Sequence, residues 1–394
     1  QTISNVLVHL TSPDLNHPGS VTADDGKFSF ANLPLGLDYI LEPERNDDHK
    51  NGVSTLDLVR IQKHLLGKEV FTSPYQYIAA DANNSKSVSA IDLLEIRKLI
   101  LGIYQEYPDN ESWRFVKKDQ ELIPGNPWPF DEKIRIDNLA VQMKLKLDFI
   151  GVKIGDVNNT VKAHATQILP RSGNQIVSVK GSVNGEISKD EVIEIRLVIP
   201  EIVNGFQWTL ETDGLEYIGT YSNDIHIDEN NVGVLNDGIL TMSWNGELSE
   251  MSKGKNEISI SIQLRVIEAG PINQMIRMNS TVTKAEAYSL AGEIKETRLA
   301  FDHKKSVNDF ALYQNKPNPW NGMTIIGFDL PADASATLTV YDVASKIIST
   351  INGEFKAGYN TIMLNEKDIP GTGVLYYRLE SGEYAATKKM ILIR

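Results

Sequence analysis

One short pattern occurs twice, and it constrains the chain more than any other feature. Ser54, Asp57, Leu58, Ile61, Leu65, Leu66 and Gly67 recur as Ser89, Asp92, Leu93, Ile96, Ile100, Leu101 and Gly102. In each copy a Ser followed three residues later by an Asp forms a helix start of the capping-box type. The apolar residues at i, i+3 and i+7 give a helix with one buried face. Gly67 and Gly102 fall where a helix end needs a residue tolerant of positive φ. The pattern predicts two loop–helix units in tandem.

The loops ahead of the two helices are rich in oxygen. In the second, Asp81, Asn83, Ser85, Ser89 and Asp92 occupy positions 1, 3, 5, 9 and 12 of a twelve-residue loop, and Ser87 supplies a peptide carbonyl at position 7. Calcium takes six to eight oxygen ligands, and alternating positions of a tight loop converge them on one point. In the first loop Asn46, Asp48, Gly52, Ser54 and Asp57 stand at positions 1, 3, 7, 9 and 12, but Lys50 occupies position 5. Lys86 replaces the usual turn glycine at position 6 of the second loop. The plainer reading makes both loops simple turns with capped helices. The missing incoming helix and the Asp at position 12 resemble dockerin modules. The resemblance spans 45–160 and includes the ending Gly155-Asp156-Val157-Asn158. It implies calcium, held by the residues named.

A chain of 394 residues accommodates three or four small domains. It has no cysteine, so disulfides, thiolate catalysis and Cys-ligated zinc are excluded, and a bound metal is the natural staple for a small domain. The net charge of -13, with no basic cluster, argues against nucleic acid as a partner. No run of about 18 apolar residues predicts a membrane helix. The opening Gln1-Thr2-Ile3-Ser4, with neither initiator Met nor leader, reads as a fragment of a longer precursor. His49 and His64 read as exposed loop or helix residues rather than ligands.

Outside the repeat, short alternating runs separated by turn residues imply β-sandwiches. Residues 1–44 carry Val6, Val8, Phe28 and Phe30 around Asp25-Gly26 as strand and turn signals. The order Thr22, Gly26, Phe28, Phe30, Leu33, Gly36, Tyr39, Leu41 resembles a truncated carboxypeptidase regulatory-like sandwich. Residues 104–160 yield no fold from pattern. Residues 165–302 read as all-β, with Val192–Ile199, Phe206–Leu210 and Ile258–Val266 as strands and Asn236-Asp237-Gly238 as a turn. The runs Gly205-Phe206-Gln207-Trp208-Thr209-Leu210 and Leu240-Thr241-Met242-Ser243-Trp244-Asn245 resemble cohesin-like domains. Cohesins bind dockerins, so this resemblance raises an intramolecular cohesin–dockerin contact. The plainer reading is a stalk domain whose Trp208 and Trp244 fill its core. The fold class expected is mainly β: a string of sandwiches with one small helical calcium-loop module.

Residues 308–394 open with Leu312-Tyr313-Gln314-Asn315-Lys316-Pro317-Asn318-Pro319-Trp320-Asn321 and close with Lys388-Lys389-Met390-Ile391-Leu392. This resembles the type A C-terminal sorting domain of type IX secretion cargo, with Trp320 where Phe is more usual and Ser345 at a turn position commonly Gly. Pro317 and Pro319 fix φ and remove donors, keeping the motif extended at a sheet edge. The resemblance implies that Pro317, Asn318, Pro319, Lys388, Lys389, Met390, Ile391 and Leu392 are read by the secretion translocon and its outer-membrane β-barrel shuttle. It also implies cleavage near Asp302-His303-Lys304-Lys305-Ser306 and a location at the cell surface or outside the cell. No GxSxG, HExxH, P-loop or dinucleotide motif is present. The expected role is stalk and export signal, not catalysis, with calcium-dependent protein or glycan binding as the alternative.

Overall fold

Val8 and Leu10 point into a core and His9 between them points outward, so the first long strand follows the two-residue period of its sequence. A computed structural model describes residues 1–394 except 14, 141–146, 164–175, 183–188, 236–237, 247–255, 302–309, 316, 357 and 394. The chain is mainly β and divides into two units, Gln1–Phe301 and Asp302–Arg394.

In the first unit, β1 (Leu7–Ser12) pairs antiparallel with β2 (Leu15–Asn16), β3 (Ser20–Val21) and β4 (Tyr39–Glu44). Phe28 and Phe30 are spaced for a strand, yet they lie against this core outside any described ladder. The helices α1 (Thr55–Leu65), α2 (Pro74–Ala80) and α3 (Ala90–Ile100) follow. Next come β5 (Trp113–Lys117), β6 (Ile134–Ile136) and β7 (Phe149–Lys153). β6 pairs with β4, setting Ile134 opposite Leu41, so part of the stretch without a legible fold extends the N-terminal sheet. β5 and β7 form a two-stranded sheet that serves two cores. Trp113 and Phe115 pack with Val6 and Val8, while Val116, Val152 and Ile154 pack with Leu58, Ile61 and Ile96 of the helices. Alternate residues of one strand thus hold the helical repeat to the N-terminal sheet.

A ten-stranded sheet comes next, built from β8 (Ile176–Ser182), β9 (Val192–Ile199), β10 (Val203–Thr212), β11 (Leu215–Tyr221), β12 (Val232–Leu235), β13 (Ile239–Asn245), β14 (Ile258–Val266), β15 (Ile276–Asn279), β16 (Glu286–Ser289) and β17 (Ile294–Phe301), with a single-turn helix, α4 (Ile272–Met275), before β15. Its order is β11-β14-β9-β8-β17-β16-β10-β13-β12, with β15 beside β10. One core joins Ile195 and Leu197 of β9 to Phe206 and Trp208 of β10. Phe206 stacks on Trp208 at 4.3 Å between ring centroids and on Trp244 at 5.6 Å. These tryptophans fill the core, as the plainer reading expects. Of the turn read at 236–238, Asn236 and Asp237 lie outside the described residues, and Gly238 has a φ of 71°.

In the second unit β18 (Ala311–Leu312), β19 (Met323–Leu330), β20 (Ala334–Tyr341), β21 (Ile347–Phe355), β22 (Gly358–Asn365), β23 (Gly373–Ser381) and β24 (Tyr384–Leu392) form two sheets. Their orders are β18-β19-β22 and β21-β20-β23-β24. Phe328, Leu338, Tyr377 and Met390 are among the residues filling the space between them. The cleavage stretch at 302–306 lies outside the described residues.

Candidate functional site

The two loops start their helices with the same Ser–Asp pair. The Ser54 amide and hydroxyl both donate to Asp57 Oδ2 at 3.0 Å; Ser89 does the same to Asp92 Oδ2 at 2.9 and 3.0 Å. Gly67 and Gly102 close the helices with φ of 69° and 77°.

The second loop is wound about its own carboxylates. The amides of Ser85 and Lys86 donate to the two oxygens of Asp81 at 2.8 and 2.9 Å, and the Asn83 amide donates to Asp92 Oδ1 at 3.3 Å. The Ser85 hydroxyl lies 3.3 Å from the Ser87 carbonyl oxygen. Asp81, Asn83, Ser85, Ser87, Ser89 and Asp92 are thereby gathered in one short loop whose donor set of carboxylate, amide, hydroxyl and carbonyl oxygens suits calcium. Burial raises the Asp81 carboxyl, against the Lys86 and Ser85 amides that lower it, and the Asp92 charge raises it further. Among the described residues no three His, Cys, Asp or Glu side chains converge, and most of the oxygens gathered here are neutral. Lys86 sits at φ 63°, a region that costs a side chain roughly 1–2 kcal/mol. Lys86→Gly should therefore raise stability by about 1 kcal/mol, measurable as a higher Tm in calorimetry of the full chain.

The first loop is built differently. Asn46 Oδ1 accepts the Ser112 amide at 2.8 Å, and Asp48 Oδ2 accepts the side chain of Asn51 at 2.7 Å. Asp57 Oδ1 accepts the Val157 amide at 3.0 Å, where its counterpart Asp92 accepts a residue of its own loop. The Gly52 carbonyl accepts the Thr160 hydroxyl at 3.0 Å. Burial, with the neighbouring Asp156 charge, pushes the Asp57 carboxyl well above the usual range. Of the sequence-predicted ligands here, Asn46, Asp48, Gly52 and Asp57 are turned to partners of 112–160 or of the loop itself, and Ser54 caps α1. His49 and His64 are not exposed as expected: the His49 side chain is 17% exposed, and the His64 ring stacks on Phe71 at 4.0 Å.

The repeat packs against the ten-stranded sheet through polar groups. Gln207 Oε1 accepts the Thr55 amide at 2.7 Å, and the hydroxyls of Thr55 and Ser243 lie 2.7 Å apart. Asn245 donates to Gln62 at 2.7 Å and accepts from Arg97. At the end of α3, Thr283 and Thr241 donate to the carbonyls of Ile100 and Leu101, each at 2.6 Å. The first amides and last carbonyls of a helix lack partners within it, and here two sheet residues and Thr283 of the β15–β16 loop supply three of them. Approach is close: a Cβ on Gly205 would lie 3.1 Å from Val59 and 3.2 Å from Thr55.

In the second unit the two ends of the sorting pattern meet. Trp320 donates to the Ile391 carbonyl at 2.9 Å and accepts from the Ile393 amide at 2.8 Å. Asn318 Oδ1 accepts the Ile391 amide at 2.8 Å, and Gln314 donates to the Lys389 carbonyl at 2.6 Å. Asn315, fully buried, donates to the Pro317 carbonyl and Thr324 hydroxyl, both at 3.0 Å, and its amide donates to Tyr377 Oη at 2.8 Å. Pro317, Asn318, Pro319, Lys388 and Lys389 are exposed and Ile391 is half-buried. Met390 and Leu392 are not available as a surface: they are 0% and 1% exposed, because the strand period turns them into the core. The Tyr377 hydroxyl, which accepts the Asn315 amide, donates to the Tyr313 carbonyl at 2.7 Å.

A duplicated calcium-type loop–helix beside a β-sandwich, and a terminal two-sheet unit with its signal ends laced together, define the class: a modular, mainly β protein. Residues 46–101 match the family described as the dockerin type I domain, and 316–393 match the secretion system C-terminal sorting domain. The chain thus matches a type IX secretion cargo protein with a dockerin-like region, and its terminal domain indicates export to the cell surface or the extracellular space. No curated protein matches it. Among solved structures, dimeric latent PorU from Porphyromonas gingivalis is 12% identical over 54% of this chain and 20% of its own, with a TM-score of 0.19. The sensor domain of the anti-sigma factor RsgI4 in Pseudobacteroides cellulosolvens is 11% identical over 23% of this chain and 100% of its own, with a TM-score of 0.16. A Parabacteroides merdae beta-glucuronidase is 11% identical over 53% of this chain and 29% of its own, with a TM-score of 0.16. The chain spans about a fifth of that PorU chain, and likenesses this low carry no argument.

Proposed function

We propose that this chain is the non-enzymatic C-terminal part of a larger surface protein. Residues 1–301 form a stalk stiffened by a dockerin-like module docked on a cohesin-like sandwich of the same chain. Residues 308–394 are the export signal, read by the type IX translocon and its outer-membrane β-barrel shuttle. The stalk reading is carried by the helix ends of α1 and α3, whose amide and carbonyl groups are capped by Gln207, Thr241 and Thr283. The alternative, recruitment of a partner protein through these helices, would need the face that the sandwich covers: Thr55 is 0% and Val59 5% exposed. Calcium, in this reading, stabilises the second loop.

Two experiments test the reading. Fused to a periplasmic reporter in a secretion-competent host, 308–394 should carry the reporter outside the cell; retention in the periplasm would sink the export role. In a pull-down, the full chain should capture translocon components and the shuttle, and a chain ending before Asn308 should lose them. If both capture the same partners, the earlier domains carry recognition.

A further inference from the structure

Dockerin-like modules imply a calcium ion in each loop, and the first loop does not fit one. Its position-1 oxygen is spent on the Ser112 amide and its position-3 carboxylate on Asn51. The residue at position 5, Lys50, reaches away from the loop, its ammonium 3.2 Å from where a Cβ on Gly102 would lie. A second cation approaches from β7. Lys153, 3% exposed, donates to the Asp48 carbonyl at 2.9 Å, with its ammonium 5.6 Å from the centre of the Trp113 ring. Arg45 lies over the same ring at 5.2 Å and donates to Asp47 at 2.6 Å. In the second loop the position-1 and position-3 oxygens accept within the loop itself, from the amides of Ser85 and Lys86.

We propose that Lys153 is the built-in cation of the first loop, and that the chain takes a single calcium ion, in the second. An ammonium on a buried lysine brings one positive charge and three donors to the loop, one of them donated to the Asp48 carbonyl. It needs no ion from solution. Because β7 belongs to the sheet that joins the repeat to the N-terminal strands, this staple also links the first loop to that sheet in the absence of metal. The count of one rests on the calcium reading of the second loop; the lysine staple does not.

The test uses the full chain. Calorimetric titration with calcium chloride should give one site per chain, lost in Asp92→Asn and kept in Asp57→Asn. Two sites, or one lost only in Asp57→Asn, would overturn the proposal. Zero sites would instead remove the calcium reading of the second loop, leaving the staple to be judged by Lys153→Met. That variant should melt about 6–10 °C lower, by the same amount in calcium and in EDTA, and Lys153→Arg should recover part of the loss. A Lys153→Met chain that melts like wild type in EDTA shows that the ammonium holds nothing. A loss appearing only in calcium shows that Lys153 serves a metal site. Either result discards the staple.

Discussion

Trp320→Ala should destabilise the 302–394 unit by about 3–5 kcal/mol and stop the chain from reaching the outside of the cell. The indole is 1% exposed, within a core that includes Leu392. Its own backbone bonds the carbonyl of Ile391 and the amide of Ile393. Removing the ring leaves a cavity where the opening motif meets the terminal strand, so both halves of the signal lose their support. Hydrogen exchange on the full chain should show protection lost across β24, with the strands of 1–301 unchanged. Trp320→Phe is the control. Among the described residues the indole N–H is buried without a partner, so Phe gives up area but also removes an unpaired donor, and the net change should stay within about 1 kcal/mol. Export at the wild-type level by an unprotected Trp320→Ala unit would mean that the translocon reads a linear sequence, not a folded edge.

What was legible in the sequence was local. The helices α1 and α3, their capping pairs and their terminal glycines follow from residues within one copy of the repeat, and the structure places each as read. The helix α2 was not legible: it ends at Ala80, immediately before Asp81, and supplies the second loop with the incoming helix that the sequence pattern reads as missing. The terminal signal was likewise legible as two motifs, but not the fact that Asn318 and Trp320 bond directly to 391 and 393. The fate of the first loop was not legible, because Ser112, Lys153 and Val157 reach it from distant strands and turns. The single signal was Lys50 at position 5, which marked the loop as odd without naming the cation. Phe28 and Phe30 show the reverse failure: a strand-like period sits outside the described ladders, since side-chain alternation does not by itself supply a partner strand. Thr241, Ser243 and Asn245 alternate with Leu240, Met242 and Trp244, the pattern of a half-solvated strand. Yet Thr241 and Ser243 are fully buried and Asn245 is 8% exposed, because α1 and α3 cover that face. Polar residues on such a face read as surface until a neighbour with unpaired helix ends is found for them.

Val59→Arg should separate the dockerin-like module from the sandwich while leaving both folded. Val59 is 5% exposed and meets the backbone of Gly205, where even an added Cβ would lie 3.1 Å from it. It is not among the residues that fill the helical core, such as Leu58, Ile61, Ile96 and Leu99, so a long side chain here attacks the contact and not the module. Burying its guanidinium unpaired would cost about 3–5 kcal/mol. The lower-energy outcome is undocking, which returns the Thr55 amide and the carbonyls of Ile100 and Leu101 to water. Undocking should appear as faster exchange of amides on the α1 and β13 face, and as loss of a single cooperative melt for 1–301. Gln207→Ala should act in the same direction but less, by about 1–3 kcal/mol, since it strands one buried amide. If Val59→Arg melted like wild type with its exchange pattern unchanged, the contact would contribute nothing to the stalk, and the helix face would be free to bind a partner in trans.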